Sequence, residues 1–142
     1  MPNFISEDEL EQALLQRLQH LCGWNVLNCF TAQPEDPNDG SGRADKREAI
    51  LADRLRAAVQ RLNPHVPAAA QEQALAVLLQ PRGAMSLVQA NREMDGLLRD
   101  GVAVEVEATA GARSGQRVTE RVRVIDWDAP SPAEERNEFL AV

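Results

Sequence analysis

Between Arg117 and Val142 the chain reads RVTERVRVIDWDAPSPAEERNEFLAV, and this stretch limits the fold more than any other. Val118, Val122 and Val124 recur on one face of a strand, with Thr119, Arg121 and Arg123 between them. Ile125-Asp126-Trp127 follows, then a Pro-rich turn, then a second apolar run, Phe139-Leu140-Ala141-Val142. A strand placed at the last residues has no partner after it, so the run reads as the opening of a larger sheet. Its unpaired edge predicts weak self-association, because a free edge offers unpaired backbone groups to another strand.

Upstream, Val102, Val104 and Val106 alternate with Ala103, Glu105 and Glu107. A turn from Gly111 to Gly115 joins this strand to Val118–Trp127 in a hairpin. The expected register sets Glu105 and Glu107 across from Arg121 and Arg123.

The remainder reads mostly as helix. Ser6 and Glu9 form a capping box, Ile5 and Leu10 a hydrophobic staple, and Glu7, Asp8 and Glu9 suit the positive end of the helix dipole. Leu10, Leu14, Leu18 and Leu21 then make one apolar stripe, and Gly23 ends the helix. Trp24 to Phe30 is strand-like. Ala32 to Ala44, broken by Pro34, Pro37, Gly40 and Gly42, reads as a mobile surface loop in preference to a binding edge. Lys46 to Leu62 is amphipathic, with Leu51, Leu55, Ala58, Val59 and Leu62 inward. Asn63-Pro64 stops it. Pro67 opens a helix to about Gln80, carried by Ala70, Ala74, Val77 and Leu78, and Pro81-Arg82-Gly83 ends it. Ser86 and Gln89 make a second capping box, for a helix with Leu87, Ala90, Met94 and Leu98 inward and Gly101 as its cap. The order helix, strand, three helices, strands predicts an α+β fold: N-terminal helices packed on a small, mainly antiparallel sheet. The helical part covers about 1–101 and the hairpin and following strands about 102–142.

The 142 residues suffice for one domain with a real core, and with 4% aromatic residues and no Tyr that core must be aliphatic. The formal charge of −7 lacks the basic footprint of a nucleic-acid binder, so any DNA contact would be local or made by other parts of a larger protein. Scarce aromatics also argue against a base-stacking single-strand binder. Cys22 and Cys29 lack a nearby His at zinc spacing and read as reduced thiols. The acidic N-terminus does not resemble a signal peptide and no apolar run reaches transmembrane length, so a cytoplasmic protein without membrane contact is expected.

Phosphate-loop, HExxH, GxSxG and CxxC motifs do not occur. His20 and His65 are scattered. Asp126 and Asp128 flank Trp127 and could hold Mg²⁺, but carboxylates at a strand end more commonly serve the turn. Glu7, Asp8, Glu9 and Glu11 suffice as a cap and solvated face. A first-helix carboxylate can also line a nuclease metal site, and sequence alone does not separate the two.

In order along the chain, ISEDELEQALLQRLQHLCGWNVL, ILADRLRAAVQRLNPHVP, QANREMDGLLRDGVAVEV and VRVIDWDAPSP…NEFLAV together resemble the N-terminal part of the R (restriction) subunit of type I restriction-modification enzymes. The last segment is the most specific, matching an Ile-Asp-(Trp/Phe) strand, a short turn and an Asn-Asp-Phe-Leu strand. Ala133-Glu134-Glu135-Arg136 makes that turn longer than the family's usual one. The resemblance implies the start of a PD-(D/E)xK restriction-nuclease-like domain. Its catalytic residues, in an Arg-Pro-Asp segment and a following Glu-x-Lys strand, would lie after Val142, so no catalytic residue is expected in this chain, and the fragment alone should be inactive and bind no cofactor. It implies Mg²⁺ and ATP as cofactors of the full-length subunit, and DNA and the methylation and specificity subunits as its partners. Glu7 is the one position matched to a metal-proximal carboxylate. A non-catalytic protein-interaction module of similar fold is the second reading.

Overall fold

A computed structural model describes residues 6–33, 35–107, 115–129 and 136–142. The chain forms two compact units. One runs from Met1 to Ala49 and regains the chain at Glu138–Val142; the other comprises Ile50–Asn137. Both contain helix and strand, and the α+β class expected from the sequence holds. No helix among the described residues is long and apolar enough to cross a membrane.

In the first unit, α1 spans Glu7–Cys22. Both halves of its capping box are formed: the Glu9 N–H donates to Ser6 Oγ at 3.2 Å and the Ser6 N–H donates to Glu9 Oε2 at 2.8 Å. Gly23 turns left-handed at φ 68°, and the Trp24 N–H donates back to the Leu18 carbonyl at 3.1 Å. The staple residue Ile5 lies outside the described residues. The strand expected over Trp24–Phe30 is shorter: β1 is Asn25–Val26. Asn28 Oδ1 accepts the Phe30 N–H at 2.9 Å, a local turn that competes with continued extension.

The final apolar run does have a partner. β4, Leu140–Ala141, lies parallel to β1, with Asn25 opposite Leu140 and Val26 opposite Ala141. The Asn25 N–H donates to Phe139 O and the Leu27 N–H to Ala141 O, both at 2.9 Å, and the Trp24 ring stacks on Phe139 with centroids 5.1 Å apart. The partner precedes this run by more than a hundred residues, so a search for a following strand could not find it. The whole intervening chain forms the crossover that a parallel pair requires.

Residues 36–48, which include most of the stretch Ala32 to Ala44 expected as a mobile loop and the expected start of the next helix, form a hydrogen-bonded turn around the buried Asp39. Asp39 Oδ1 accepts from the Ser41 N–H at 2.9 Å and from Ser41 Oγ at 2.5 Å, while Arg43 Nη2 donates to Oδ2 at 2.8 Å. Asp45 likewise accepts the Arg47 N–H at 2.8 Å. That local turn occupies residues expected to begin the second helix, so α2 starts later and spans Ala52–Leu62.

The second unit contains α2, α3 (Ala68–Leu79), α4 (Leu87–Asp100) and the antiparallel hairpin β2 (Val102–Glu107) and β3 (Arg117–Val122). Its core is aliphatic: Val59, Val66, Ala70, Ala74, Leu75, Leu78, Val102, Val104 and Val122 are buried together. On α3, Leu75 and Gln71 are buried and Val77 is exposed, reversing part of the expected face. On α4 the Ser86–Gln89 capping box forms, Leu87 is exposed, and Leu97 packs against the core. Val102 pairs with Val122, Glu105 with Thr119 and Glu107 with Arg117. The Glu–Arg register therefore differs by two residues or more from the expected one, and Arg121 faces Ala103. This register keeps Val102 beside Val122 in the core, which outweighs exposed cross-strand ion pairs. β3 also ends before the expected Trp127, because side chains replace a partner strand beyond Val122. Most of the hairpin turn and residues 130–135 of the Pro-rich turn lie outside the described residues.

Candidate functional site

In the first unit, a groove of about 410 Å³ runs between α1 and the β1 segment. Asp8, Glu11, Gln12 and Leu15 form its helical wall, and residues 26–30 and Val142 form the other. Asp8 and Glu11 are three apart, so both side chains fall on one side of the helix. Glu7 stands exposed in the first turn, next to the groove residue Asp8. Glu9 serves the cap, and the Ser6 backbone N–H, helped by its hydroxyl, holds the Glu9 carboxyl below its ordinary pKa. The groove is thus lined by two carboxylates together with the apolar residues Leu15, Val26, Leu27 and the exposed Phe30. Among the described residues no three His, Cys, Asp or Glu side chains converge as a metal-binding group.

In the second unit, Asp126 is buried and tied on every side. Its N–H donates to Asn137 Oδ1 at 2.7 Å, and its carbonyl accepts from Asn137 Nδ2 at 2.9 Å. Arg136 Nε donates to its carboxylate at 3.2 Å. Asp128 pairs with Arg123, whose guanidinium also lies 4.0 Å from Asp126. Guanidinium groups therefore occupy the carboxylates that sequence had offered as an alternative Mg²⁺ pair, and the structural role is the one observed. Trp127 Nε1 donates to Leu98 O at 3.1 Å, fastening the same segment to the last turn of α4. Arg99, Asp100, Arg123, Trp127 and Asp128 border a smaller cleft of about 160 Å³ there.

His20 and His65 are both exposed, on α1 and in the turn after α2. Cys22 is exposed and Cys29 half-buried, and both are free thiols.

Asn63, Gln71 and Asn137 are the residues that sequence reasoning missed. Asn63 was legible only as a helix stop, yet its fully buried amide bonds both backbone groups of Arg123. Gln71 Nε2 donates to Asn63 O and Val66 O, each at 2.9 Å. The available signal was three amide residues within or beside apolar runs. It has no spacing that distinguishes it from ordinary turn chemistry.

The family described as "Type I restriction enzyme R protein N terminus" matches residues 4–142. The chain is 32% identical over 139 residues to the "Type I restriction enzyme HindI endonuclease subunit" of Haemophilus influenzae, covering 97% of this chain. It spans only 12% of that relative's length. No solved structure matches the chain. The ordered motifs of the sequence, the α+β fold and a match that runs from the first helix through β4 agree, and the chain belongs to the family of type I restriction enzyme R protein N termini.

Proposed function

We propose that this chain is scaffold for the nuclease domain of a DNA-cleaving type I R subunit. The observation that carries the reading is the match to the R protein N terminus over residues 4–142. The Haemophilus relative is an endonuclease subunit, which supports the same reaction class. In the full subunit, Mg²⁺ held by carboxylates would activate water and stabilise charge on the scissile phosphate. In this reading the chain's own work is positional. α1 brings Asp8 and Glu11 to one groove wall, and β4 is held in line beside β1. Glu7 is the remaining first-helix carboxylate candidate for metal proximity. ATP binding would belong to other parts of the subunit, as would most of the basic surface that grips DNA, because this segment is acidic. Methylation and specificity subunits would complete the complex, in a cytoplasmic setting.

The gene tests this reading. An open frame continuing past codon 142 into an Arg-Pro-Asp segment and a Glu-x-Lys strand is expected. A stop codon directly after Val142 would overturn it and leave a stand-alone module.

A further inference from the structure

The outward face of the β2–β3 hairpin is uneven in charge. On β3, Arg117, Thr119 and Arg121 are exposed, while Glu120 is half-buried on the other side. On β2 the exposed carboxylates, Glu105 and Glu107, lie at the turn end, opposite Thr119 and Arg117. At the other end the core pairing of Val102 with Val122 sets Arg121 opposite Ala103 instead of a carboxylate. Arg121 forms no ion pair among the described residues, and its Nη1 donates to Gly101 O at 3.4 Å. The exposed Arg123 continues the alternation two residues on, its backbone fixed by Asn63.

Gly101 also borders the 160 Å³ cleft, which Arg99, Arg123 and Trp127 share. The Asp100 carboxyl there is held below its ordinary pKa by the Arg99 hydrogen bond first, then by the charges of Arg99 and Arg121, so three guanidiniums gather at one place. Trp127 is 62% exposed beside them, and its bond to Leu98 O fixes the ring. We propose that Arg99, Arg121, Arg123 and Trp127 form this chain's local contact with a DNA backbone, the guanidiniums on neighbouring phosphates of one strand and the indole face on the adjoining sugar. This rests on the reading of the chain as part of a DNA-cleaving subunit.

Three observations select that partner. Guanidinium forks bind phosphate oxygens in pairs, and every cation at this end of the hairpin is Arg. Arg121 and Arg123 project from alternate residues, about 7 Å apart if fully extended, a step like that between neighbouring phosphates of a strand. Such regular spacing suits a polymer of evenly placed anions better than a folded protein surface. The counter-charges, Asp100 and Asp128 with Asp95 a turn earlier on α4, are all exposed. Exposed ion pairs are weak, so phosphate can take their place. A contact of this size is compatible with a chain whose overall charge is −7.

The test is binding of the full-length R subunit to a labelled DNA duplex, followed by fluorescence anisotropy over a series of NaCl concentrations. Arg121→Gln should make the slope of log K against log salt shallower by about 1, the loss of one phosphate contact, whatever the duplex sequence. Arg121→Lys should keep the wild-type slope. Arg99→Gln, on the exposed end of α4, repeats the test at a position that leaves the hairpin untouched. Arg56→Gln removes the same charge from the pair with Glu72 and should leave the slope unchanged. Wild-type slopes for both Arg121→Gln and Arg99→Gln would overturn the proposal. An equal loss from Arg56→Gln would overturn it too, because the effect would then be one of net charge. Wild-type slopes together with failure to assemble with the methylation and specificity subunits would assign the face to a protein partner instead. DNA cleavage by the wild-type complex is measured beside these. Cleavage with unchanged slopes removes only this contact, whereas absence of cleavage removes the nuclease reading itself.

Discussion

The side chain of Asn63 pairs with the backbone of Arg123 as a neighbouring strand would. Its Oδ1 accepts the Arg123 N–H at 2.7 Å and its Nδ2 donates to the Arg123 carbonyl at 2.8 Å. Asn63 Nδ2 also reaches Val59 O at 2.7 Å, so one amide joins the end of α2 to the residue after β3. Asn137 repeats the arrangement on Asp126. Two side chains thereby satisfy backbone groups of Arg123 and Asp126, in the segment that follows β3.

Asn63→Ala should destabilise the second unit by about 1–3 kcal/mol, since it removes the partner of part-buried backbone groups on Arg123 as well as its own buried bond to Val59 O. Urea unfolding followed by Trp127 fluorescence checks this. A loss below about 0.5 kcal/mol, the range of ordinary surface changes, would contradict the pairing.

Gly101→Ala should be at least as damaging as a lost helix cap. Gly101 sits at φ 76° and ψ 166°, a region other residues avoid, and an added Cβ would lie 2.9 Å from the Val122 carbonyl oxygen. A cost of about 2 kcal/mol or more is expected from backbone strain together with the forced shift of β3. The thermal midpoint of the variant against wild type gives the answer.

Much of this was legible in the sequence, and the boundary between what was and was not is physical. Both capping boxes, the α2 face and the valine alternation of β2 are local signals, in which residues three or four apart, or two apart, determine the outcome. The pairing of β1 with β4 and the amide bonds of Asn63 and Asn137 join distant residues, and neither leaves a periodic trace. The turn around Asp39 was missed for another reason. Its Gly and Pro content correctly excluded helix and strand, but composition does not reveal that Ser41 and Arg43 converge on one carboxylate. In the groove, the assignment of Asp8 and Glu11 to its wall needed coordinates.

Acid should loosen the 36–48 turn. The Ser41 hydroxyl, then its N–H, then the Arg43 guanidinium hold the Asp39 carboxyl well below the usual carboxylate range. A carboxylate with its folded pKa depressed contributes stability that is complete above its unfolded pKa of about 4 and declines as pH falls below it. Hydrogen exchange of the Ser41 and Arg43 amides should therefore accelerate, relative to the intrinsic rate, as pH drops below about 4. Asp39→Asn should show fast exchange already at neutral pH and lose that acid dependence.

Asp126→Asn should leave Mg²⁺-dependent cleavage chemistry intact at a permissive temperature in the full-length subunit while lowering the stability of the second unit, because its carboxylate holds Arg136 and faces Arg123. Circular dichroism melts and cleavage rates measured on the same preparation separate the two effects. Loss of cleavage with an unchanged melt would instead make Asp126 a metal ligand.

The most direct test of the scaffold role is Mg²⁺-dependent DNA cleavage by residues 1–142 alone, run beside the full-length R subunit assembled with its methylation and specificity partners and ATP. The account predicts cleavage by the assembled subunit and none by residues 1–142. Metal-dependent cleavage by the 142-residue chain itself would contradict it, and Glu7, Asp8 and Glu11 would then be the first residues to substitute.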